Sequence, residues 1–208
     1  LIGINKAART TTVKPSGTSS LVLGTSSGIH AWHNDFYIRR MRLLKAEALY
    51  TYLSIHHPEL LEDEYFRPHD TSVIMIPQKA PAGAILRSES PFDLLERTKQ
   101  IFQEWIKAGH RTGSNTHNVS ATISIKEDQW DDVGNWMWEN REFYNGLSVL
   151  PFDGGTYVQA PFTDCDQAIY TNMAKSLHSI DLTKVIEMDD STDLKESLAC
   201  GPNGCEIK

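Results

Sequence analysis

The chain has 208 residues, of which 40% are hydrophobic and 23% are charged, which is ordinary globular composition with enough residues for one sizeable core or two small ones. Its formal net charge of −7 argues against the broad basic surface that a polymeric nucleic acid needs. Its apolar runs fall short of the roughly 20 residues that span a bilayer, so we expect a cytoplasmic protein without a membrane partner.

Predicted strands and helices alternate along the chain, which starts at Leu1 without an initiator methionine and is therefore expected to be a piece of a longer protein. Strands are predicted at 9–13, 36–44, 71–77, 118–125 and 147–151. Helices are predicted at 18–24, 45–57, 91–108, 126–143 and 165–178. Strands separated by helices of about ten residues or more favour an α/β fold with a largely parallel sheet.

The clearest helix signal lies between residues 90 and 109. Ser90 suits the capping position, Pro91 the first helical position and Asp93 the third. The apolar stripe that is predicted to face the core consists of Leu95, Phe102, Trp105 and Ile106.

The segment "TTTVKPSGTSSLVLGTSSGIH", residues 10–30, concentrates hydroxyls and glycines in two turns. A strand, a glycine-bearing turn and a helix start together favour phosphate binding, because the first N–H groups of a helix are unpaired and its dipole attracts an anion. The alternative is a plain turn, since Ser, Gly and Thr are common in turns of every kind. The candidate phosphate-binding residues are Pro15, Ser16, Gly17, Thr18, Ser19 and Ser20.

A pair of cysteines, Cys200 and Cys205, lies near the end of the chain in "ACGPNGCEIK". Residues 181–208 are acidic, small and polar, so we predict a mobile tail there, after a folded part at 1–180. The pair has three interpretations: half of a zinc site, an inert pair, or a dithiol that carries electrons between two places. Its spacing is long for a zinc site, and closing so short a loop would stabilise a fold very little.

Taken together, the motifs resemble a ribonucleotide reductase, most closely the adenosylcobalamin-dependent class. The resemblance rests on "TTVKPSGTSSLVLGTSSGIH", "FYIRRMR", "HNVSATISIKEDQWDDVGNWMWENRE", "YNGLSVLPFDGGTYVQAPF" and "CGPNGCEIK", which follow the family's order. It implies the C-terminal part of a ten-stranded α/β barrel, in which the turn at 15–20 binds the phosphates of the substrate. It also implies that Cys200 and Cys205 form a swinging dithiol, which thioredoxin or glutaredoxin recharges and which re-reduces the active-site disulfide.

The resemblance implies an enzyme that reduces ribonucleotides to deoxyribonucleotides by radical chemistry for DNA synthesis. The iron- or manganese-dependent class carries an adjacent tyrosine pair, whereas none of the seven tyrosines here adjoins another, so adenosylcobalamin is the expected cofactor, bound mostly outside this chain. The family's radical-forming cysteine is expected in the remainder of the reductase chain, so we expect this chain alone to be inactive. Three alternatives stay open: a noncatalytic complementing subunit of a split reductase, a large-subunit fragment of the metal-dependent class, and a phosphate-binding module without a redox role.

Two histidines, His30 and His33, follow the second turn in "GIHAWH". The resemblance places them towards the substrate or cofactor cleft, and the alternative is that they are ordinary surface histidines. Cys165 is expected to be a partly buried cysteine without a catalytic role. No metal site is predicted, and the sequence does not separate a diphosphate from a triphosphate substrate.

Overall fold

The computed structural model describes residues 3–4, 10–152, 157–178 and 180–187. The chain divides into two compact units: Leu1–Asp35 with Lys79–Thr156 forms the first, and Phe36–Gln78 with Tyr157–Lys208 forms the second. Each unit has its own hydrophobic core. Among the residues that the structure describes, no helix has both the length and the apolar character to span a bilayer.

The second unit is built on a four-stranded sheet. Its strands are β1 (Phe36–Leu44), β2 (Leu61–Asp63), β3 (Thr71–Lys79) and β6 (Phe162–Asp164), in the spatial order β2-β3-β1-β6. β2 pairs with β3 and β1 pairs with β6, both antiparallel. Helices α2 (Ala48–His56) and α5 (Gln167–His178) complete the unit. Its buried core consists of Leu43, Tyr52, Leu53 and Ile74.

Two ion pairs reach from β1 to the β2 side of this sheet, across the strand that lies between them. The Arg40 Nε donates to Glu62 at 2.8 Å, and the Arg42 guanidinium contacts Glu64 at 3.2 Å. Val73 on β3 is the register partner of Glu62 and is only 2% exposed. Two arginines alternate along "RRMR" and two glutamates along "EDE", so both ion pairs link segments of the sheet that are not direct neighbours.

The side chain of Gln159 hydrogen-bonds the edge of the same sheet. Its backbone has a φ of 55°, in the left-handed region that few residues other than glycine adopt. Its Oε1 accepts from the N–H of Tyr65 at 2.9 Å, and its Nε2 donates to the carbonyl of Asp63 at 2.7 Å. A side-chain amide thus pairs with the backbone as a neighbouring strand would.

The first unit has a short parallel sheet covered by helices. β4 (Thr122–Ile125) pairs in parallel with β5 (Ser148–Pro151), and an isolated parallel bridge joins Val13 to Val119. Helix α3 (Pro91–Ile101) and helix α4 (Trp130–Glu139) bury their apolar faces against it. The main core contains Leu94, Leu95, Ala121, Ile123, Ile125 and Val133.

The predicted start of α3 is confirmed, and one residue of its predicted stripe is wrong. Ser90 accepts from the N–H of Asp93, and the Asp93 side chain accepts in return from the N–H of Ser90. Trp105, however, is 66% exposed. Beyond Ile101 the helix continues as a π-helix (Phe102–Lys107), in which hydrogen bonds span five residues instead of four. The side chain of Trp105, three positions after Phe102, therefore points away from the core.

The predicted sheet, largely parallel, is wrong for the second unit and correct for β4 and β5. Parallel strands need a long crossover, whereas only seven residues, 64–70, join β2 to β3, so that pair is antiparallel. The sequence analysis missed β2 because "LED" carries no β-branched residue. The strand predicted at 9–13 is reduced, in its described part, to the bridge at Val13, and the one predicted at 118–125 begins at Thr122.

The end of the described chain is anchored to helix α2. The N–H of Asp181 donates to the Tyr52 hydroxyl at 3.0 Å, and Ile180 and Val185 pack against the core of the second unit. Most of the tail predicted at 181–208, with Cys200 and Cys205, lies outside the described residues. The division into a folded part at 1–180 and a mobile tail stays a prediction.

Candidate phosphate-binding turn

The turn at 15–20 lies at the surface of the first unit, where the chain leaves the sheet. It follows the bridge at Val13 and leads into the four-residue helix α1 (Ser19–Val22). Residues 16–19 are exposed, whereas Ser20 is only 4% exposed. Gly17 has a φ of 62°, and this left-handed conformation explains why a glycine stands at the bend.

Three consecutive N–H groups of this turn have no hydrogen-bond partner within the described part of the chain. Ser16 donates its N–H to the Ser27 hydroxyl, and Ser20 donates its N–H to the Ser16 hydroxyl, both at 3.2 Å. No hydrogen bond among the described residues uses the N–H groups of Gly17, Thr18 or Ser19. A row of exposed N–H groups in a turn is a common binding arrangement for an anion.

The charges near the turn also favour an anion. The first acidic residue of the whole chain is Asp35, so residues 1–34 contribute no carboxylate that could occupy the N–H groups. Lys14 directly precedes the turn and is exposed. The hydroxyl of Thr18, at the start of α1, makes no capping hydrogen bond, which leaves it able to donate to a ligand.

A second turn, at 24–30, lies directly against the first. Gly28 has a φ of 60°, and a Cβ at this position would be only 2.8 Å from the carbonyl oxygen of Lys14. Only glycine allows this approach of the two backbones. The hydroxyl-rich repeat "GTSS…GTSS" therefore forms two turns of different kinds: the first exposes its N–H groups, and the second supports the first.

His30 connects the second turn to the sheet. Its Nδ1 lies 3.0 Å from the carbonyl oxygen of Ser27, and its Nε2 lies 3.1 Å from the N of Thr122, whose N–H it accepts. Because Nε2 accepts, the proton of the neutral ring is on Nδ1. Both ring nitrogens are thus engaged by backbone groups, which favours a structural role over a place in a ligand cleft. His33 is half-buried and lies next to Trp32, which bridges Leu86.

The neighbouring loop at 114–121 is also held by side-chain amides. Asn145 donates to the carbonyl oxygens of Thr116 and His117, and Asn118 accepts from the N–H of Gly146. His117 in turn contacts the carbonyl oxygen of Thr11. These contacts fix the loop beside the segment that leads into the phosphate turn.

Arg97 is a supporting residue that the sequence analysis missed. It donates to the carbonyl oxygen of Ile29 at 2.8 Å and forms an ion pair with Glu89 at 2.5 Å. Helical periodicity indicates which residues of α3 are buried, but it carries no signal for a contact with a loop 68 residues away.

Cys165 is half-buried in the second unit. Burial raises the pKa of its thiol, and the carboxylates of Asp166 and Asp164 raise it further. The thiol therefore stays protonated and is a poor nucleophile, as expected for a residue without a catalytic role. Within the described ranges, no group of three His, Cys, Asp or Glu side chains is arranged to hold a metal ion.

Comparison with known proteins identifies relatives along almost the whole chain, although no family model matches it. An adenosylcobalamin-dependent ribonucleoside-triphosphate reductase of Levilactobacillus brevis is 24% identical over 205 residues, which are 99% of this chain and 27% of that enzyme. Enzymes of the same name from Lactobacillus delbrueckii subsp. bulgaricus and Lactobacillus acidophilus are 26% and 27% identical, covering 100% of this chain and 28% and 27% of theirs. The chain therefore spans little more than a quarter of the length of these relatives.

A solved structure shares the fold. The crystal structure of a B-12 dependent (class II) ribonucleotide reductase matches with a TM-score of 0.69 and 24% identity, over 88% of this chain and 24% of that one. The predicted α/β class is thereby confirmed for the described part. The sequence likenesses confirm the resemblance that the motifs indicate: along almost its whole length the chain is similar to adenosylcobalamin-dependent ribonucleoside-triphosphate reductases.

Proposed function

We propose that this chain is the part of an adenosylcobalamin-dependent ribonucleotide reductase that holds the phosphates of the substrate. The observation that carries the proposal is the exposed row of N–H groups at Gly17, Thr18 and Ser19, in a stretch of 34 residues without a carboxylate. The names of the relatives support a ribonucleoside triphosphate as the substrate. The shared fold supports a place within the family's ten-stranded α/β barrel.

In this proposal the turn binds and orients, and it takes no part in bond breaking. Phosphate oxygens accept charge-assisted hydrogen bonds from the three N–H groups, each contributing about 1.5–3 kcal/mol. The Thr18 hydroxyl adds a donor, and the Lys14 ammonium adds positive charge. A phosphate tail fixed in this way would hold the ribose in one orientation towards the radical site, and such positioning removes part of the entropic barrier to reaction.

The test compares alanine substitutions at two glycines, one inside the candidate turn and one outside it. Gly17 and Gly83 have φ values of 62° and 77°, a Cβ at either would meet no atom within 4 Å, and Gly83 lies outside both hydroxyl-rich turns. Alanine therefore strains both backbones and creates no clash, at a cost of about 1–3 kcal/mol. Gly17→Ala is expected to raise the KM for the ribonucleoside triphosphate about tenfold, with kcat nearly unchanged, because only this strain disturbs the binding groups.

Inorganic triphosphate, as a competitive inhibitor, isolates the phosphate contribution from that of the nucleoside. Its inhibition constant should rise with Gly17→Ala by the same factor as the KM, and Gly83→Ala should leave both constants at the wild-type value. Equal effects of the two alanines on the KM, or no effect of either, would contradict a phosphate site at this turn.

We also propose that Cys200 and Cys205 are the dithiol that re-reduces the active-site disulfide, with thioredoxin or glutaredoxin as the reductant. Disulfide exchange needs both thiols, so Cys200→Ser should abolish turnover with thioredoxin. Turnover driven by dithiothreitol, a small dithiol that can enter the site directly, should continue. Cys165→Ser serves as the control, and it should leave both activities unchanged.

Adenosylcobalamin would supply the radical that starts the reaction. The described residues provide no donor set that suits it: His30 uses both ring nitrogens on backbone groups, and no cluster of ligating side chains is present among the residues described. We therefore assign the cofactor to the remainder of the reductase and derive no step through it. The 208 residues alone should then show no nucleotide reduction, and turnover by the isolated chain would contradict this assignment.

A further inference from the structure

We infer that His30 is a positioning residue, whose imidazole replaces a missing strand residue beside β4 and fixes the phosphate turn to the sheet. The inference rests on the proposed function and deepens it, because it names the side chain that sets the geometry of the binding groups.

A row of hydrogen bonds lies along the side of β4 that faces away from β5, and its first member joins two backbone groups. Ser120 donates its N–H to the carbonyl oxygen of Val13 at 2.9 Å, after which the chain turns away at Pro15. Two residues further on, Thr122 presents its N–H to the same side, as alternate residues of a strand do. The Nε2 of His30 accepts that N–H at 3.1 Å, where a longer strand would have placed a carbonyl oxygen.

The other side of the ring leads to the phosphate turn. The Nδ1–H of His30 donates to the carbonyl oxygen of Ser27, and the hydroxyl of Ser27 accepts the N–H of Ser16. Ser16 directly precedes Gly17, the first of the three exposed N–H groups. A continuous chain of hydrogen bonds therefore runs from the amide of Thr122 to the edge of the binding turn.

Two further contacts make residues 27–30 rigid. Gly28 lies so close to Lys14 that no side chain fits between the two backbones, and the guanidinium of Arg97 holds the carbonyl oxygen of Ile29. Arg97 is itself fixed by its ion pair with Glu89. The ring of His30 is the link between this rigid segment and β4.

If the ring is lost, the turn can still form but is no longer held in one place. Groups that must be ordered when the ligand binds weaken affinity, whereas groups ordered in advance do not. The expected result is a higher KM for the nucleotide with kcat nearly unchanged, together with weaker inhibition by inorganic triphosphate. A residue that served stability alone would not produce this division between KM and kcat.

Two conservative variants in the full-length protein separate the two hydrogen bonds of the ring. In His30→Gln the amide oxygen can take the place of Nε2 and accept from Thr122, whereas the shorter side chain of His30→Asn reaches only the position of Nδ1. His30→Asn should raise the KM about tenfold, the loss expected for about one hydrogen bond. His30→Gln should remain within about threefold of the wild type, because it loses only the ring's bond to the Ser27 carbonyl oxygen, which the backbone N–H of residue 30 also contacts at 3.1 Å. His69→Gln, at an exposed position in the second unit, is the control for the chemical change.

Hydrogen–deuterium exchange provides the structural readout for these variants. Peptides covering 118–125 and 14–22 should exchange faster in His30→Asn than in His30→Gln. If His30→Asn folds too poorly to assay, Ser27→Ala removes the next hydrogen bond of the same chain and should raise the KM about threefold.

The outcomes separate this inference from the function on which it rests. A His30→Gln variant as impaired as His30→Asn, or a wild-type KM in His30→Asn or Ser27→Ala, would overturn the positioning role. If Gly17→Ala raises the KM in the same assays, the phosphate site stands without it. If Gly17→Ala has no effect on the KM, the proposed function itself has failed.

Discussion

Two turns of this protein gather backbone N–H groups, and they differ in what those groups contact. In the second unit, the N–H groups of Phe66 and Arg67 both donate to Glu64 Oε2, each at 2.7 Å. In the first unit, the N–H groups of Gly17, Thr18 and Ser19 donate to no carboxylate among the residues that the structure describes. The chain thus fills one anion site with its own side chain and leaves the other open, and only an open site can serve a ligand.

The carboxylate that fills the turn of the second unit is buried and fully engaged by the chain. Glu64 is 4% exposed, and its second oxygen accepts from Arg42. Burial raises the pKa of its carboxyl, but the N–H groups of Arg67 and Phe66 and the guanidinium of Arg42 together outweigh that effect and hold the pKa below its ordinary value. Three substitutions test the distinction between the filled turn and the open one.

The largest effect is expected from Gly28→Ala, which should damage the support of the open turn. Its Cβ would lie 2.8 Å from the Lys14 carbonyl oxygen, and the φ of 60° adds strain. We expect a loss of about 2–4 kcal/mol in the free energy of unfolding, with a KM higher than that of Gly17→Ala. Chemical denaturation and nucleotide kinetics measure the two quantities. A stability equal to that of Gly83→Ala, which is strained without a clash, would show that the two backbones are not in contact.

An intermediate effect on stability is expected from Glu64→Gln, which removes the negative charge that the N–H groups of the filled turn contact. Because the two N–H groups and Arg42 then face a neutral amide, the free energy of unfolding should fall by about 2–3 kcal/mol at neutral pH. The pKa of Glu64 is lowered by folding, so its contribution is present above the ordinary value of 4.5 and is lost as the pH falls through the lower, folded value. The variant should therefore lose part of the acid dependence of stability.

The same variant sharpens the comparison between the turns. Glu64→Gln should leave the KM for the nucleotide unchanged, because its turn is structural. An increase in the KM as large as that of Gly17→Ala would contradict the distinction between a filled and an open site.

The smallest effect is expected at Asp70, at the far end of the filled turn. The side chains of Arg67 and Thr71 hydrogen-bond its carboxylate and lower its pKa to about 2. Arg67→Met should return the pKa towards the ordinary value of 3.8, which a titration followed by NMR can measure. Since the group is at the surface, stability should hardly change at neutral pH, and any contribution should disappear only as the pH falls from about 4 to about 2.

Local features of the sequence predicted local structure well. The bounds of β1 at 36–44 and the capping of α3 at Ser90 both follow from residues that are neighbours in the sequence. The exposed position of Trp105 could not be predicted, because residue types do not distinguish a π-helix from an α-helix. The two differ in the rotation per residue, which decides the direction of each side chain. The candidate turn was found from its own residues, because hydroxyls and glycines mark such turns directly.

The support of that turn was beyond the reach of sequence patterns. Its partners are separated by 92 residues between His30 and Thr122 and by 68 residues between Ile29 and Arg97. In a single sequence, neither histidine nor arginine carries a mark that names such a distant partner. The role of the His30 ring, which accepts a backbone N–H of Thr122, follows only from the position of the strand beside it.

The side chain of Gln159 also affects how the edge of its sheet can associate with other chains. β2 is the outermost strand of its sheet, and an outer strand with open backbone groups is a template for association with another chain. The amide of Gln159 occupies two of those groups, on Asp63 and Tyr65, at the expense of a strained backbone. These two groups are thus already paired and offer no template to another chain, whereas a glycine in place of Gln159 would relax the loop and leave both groups open.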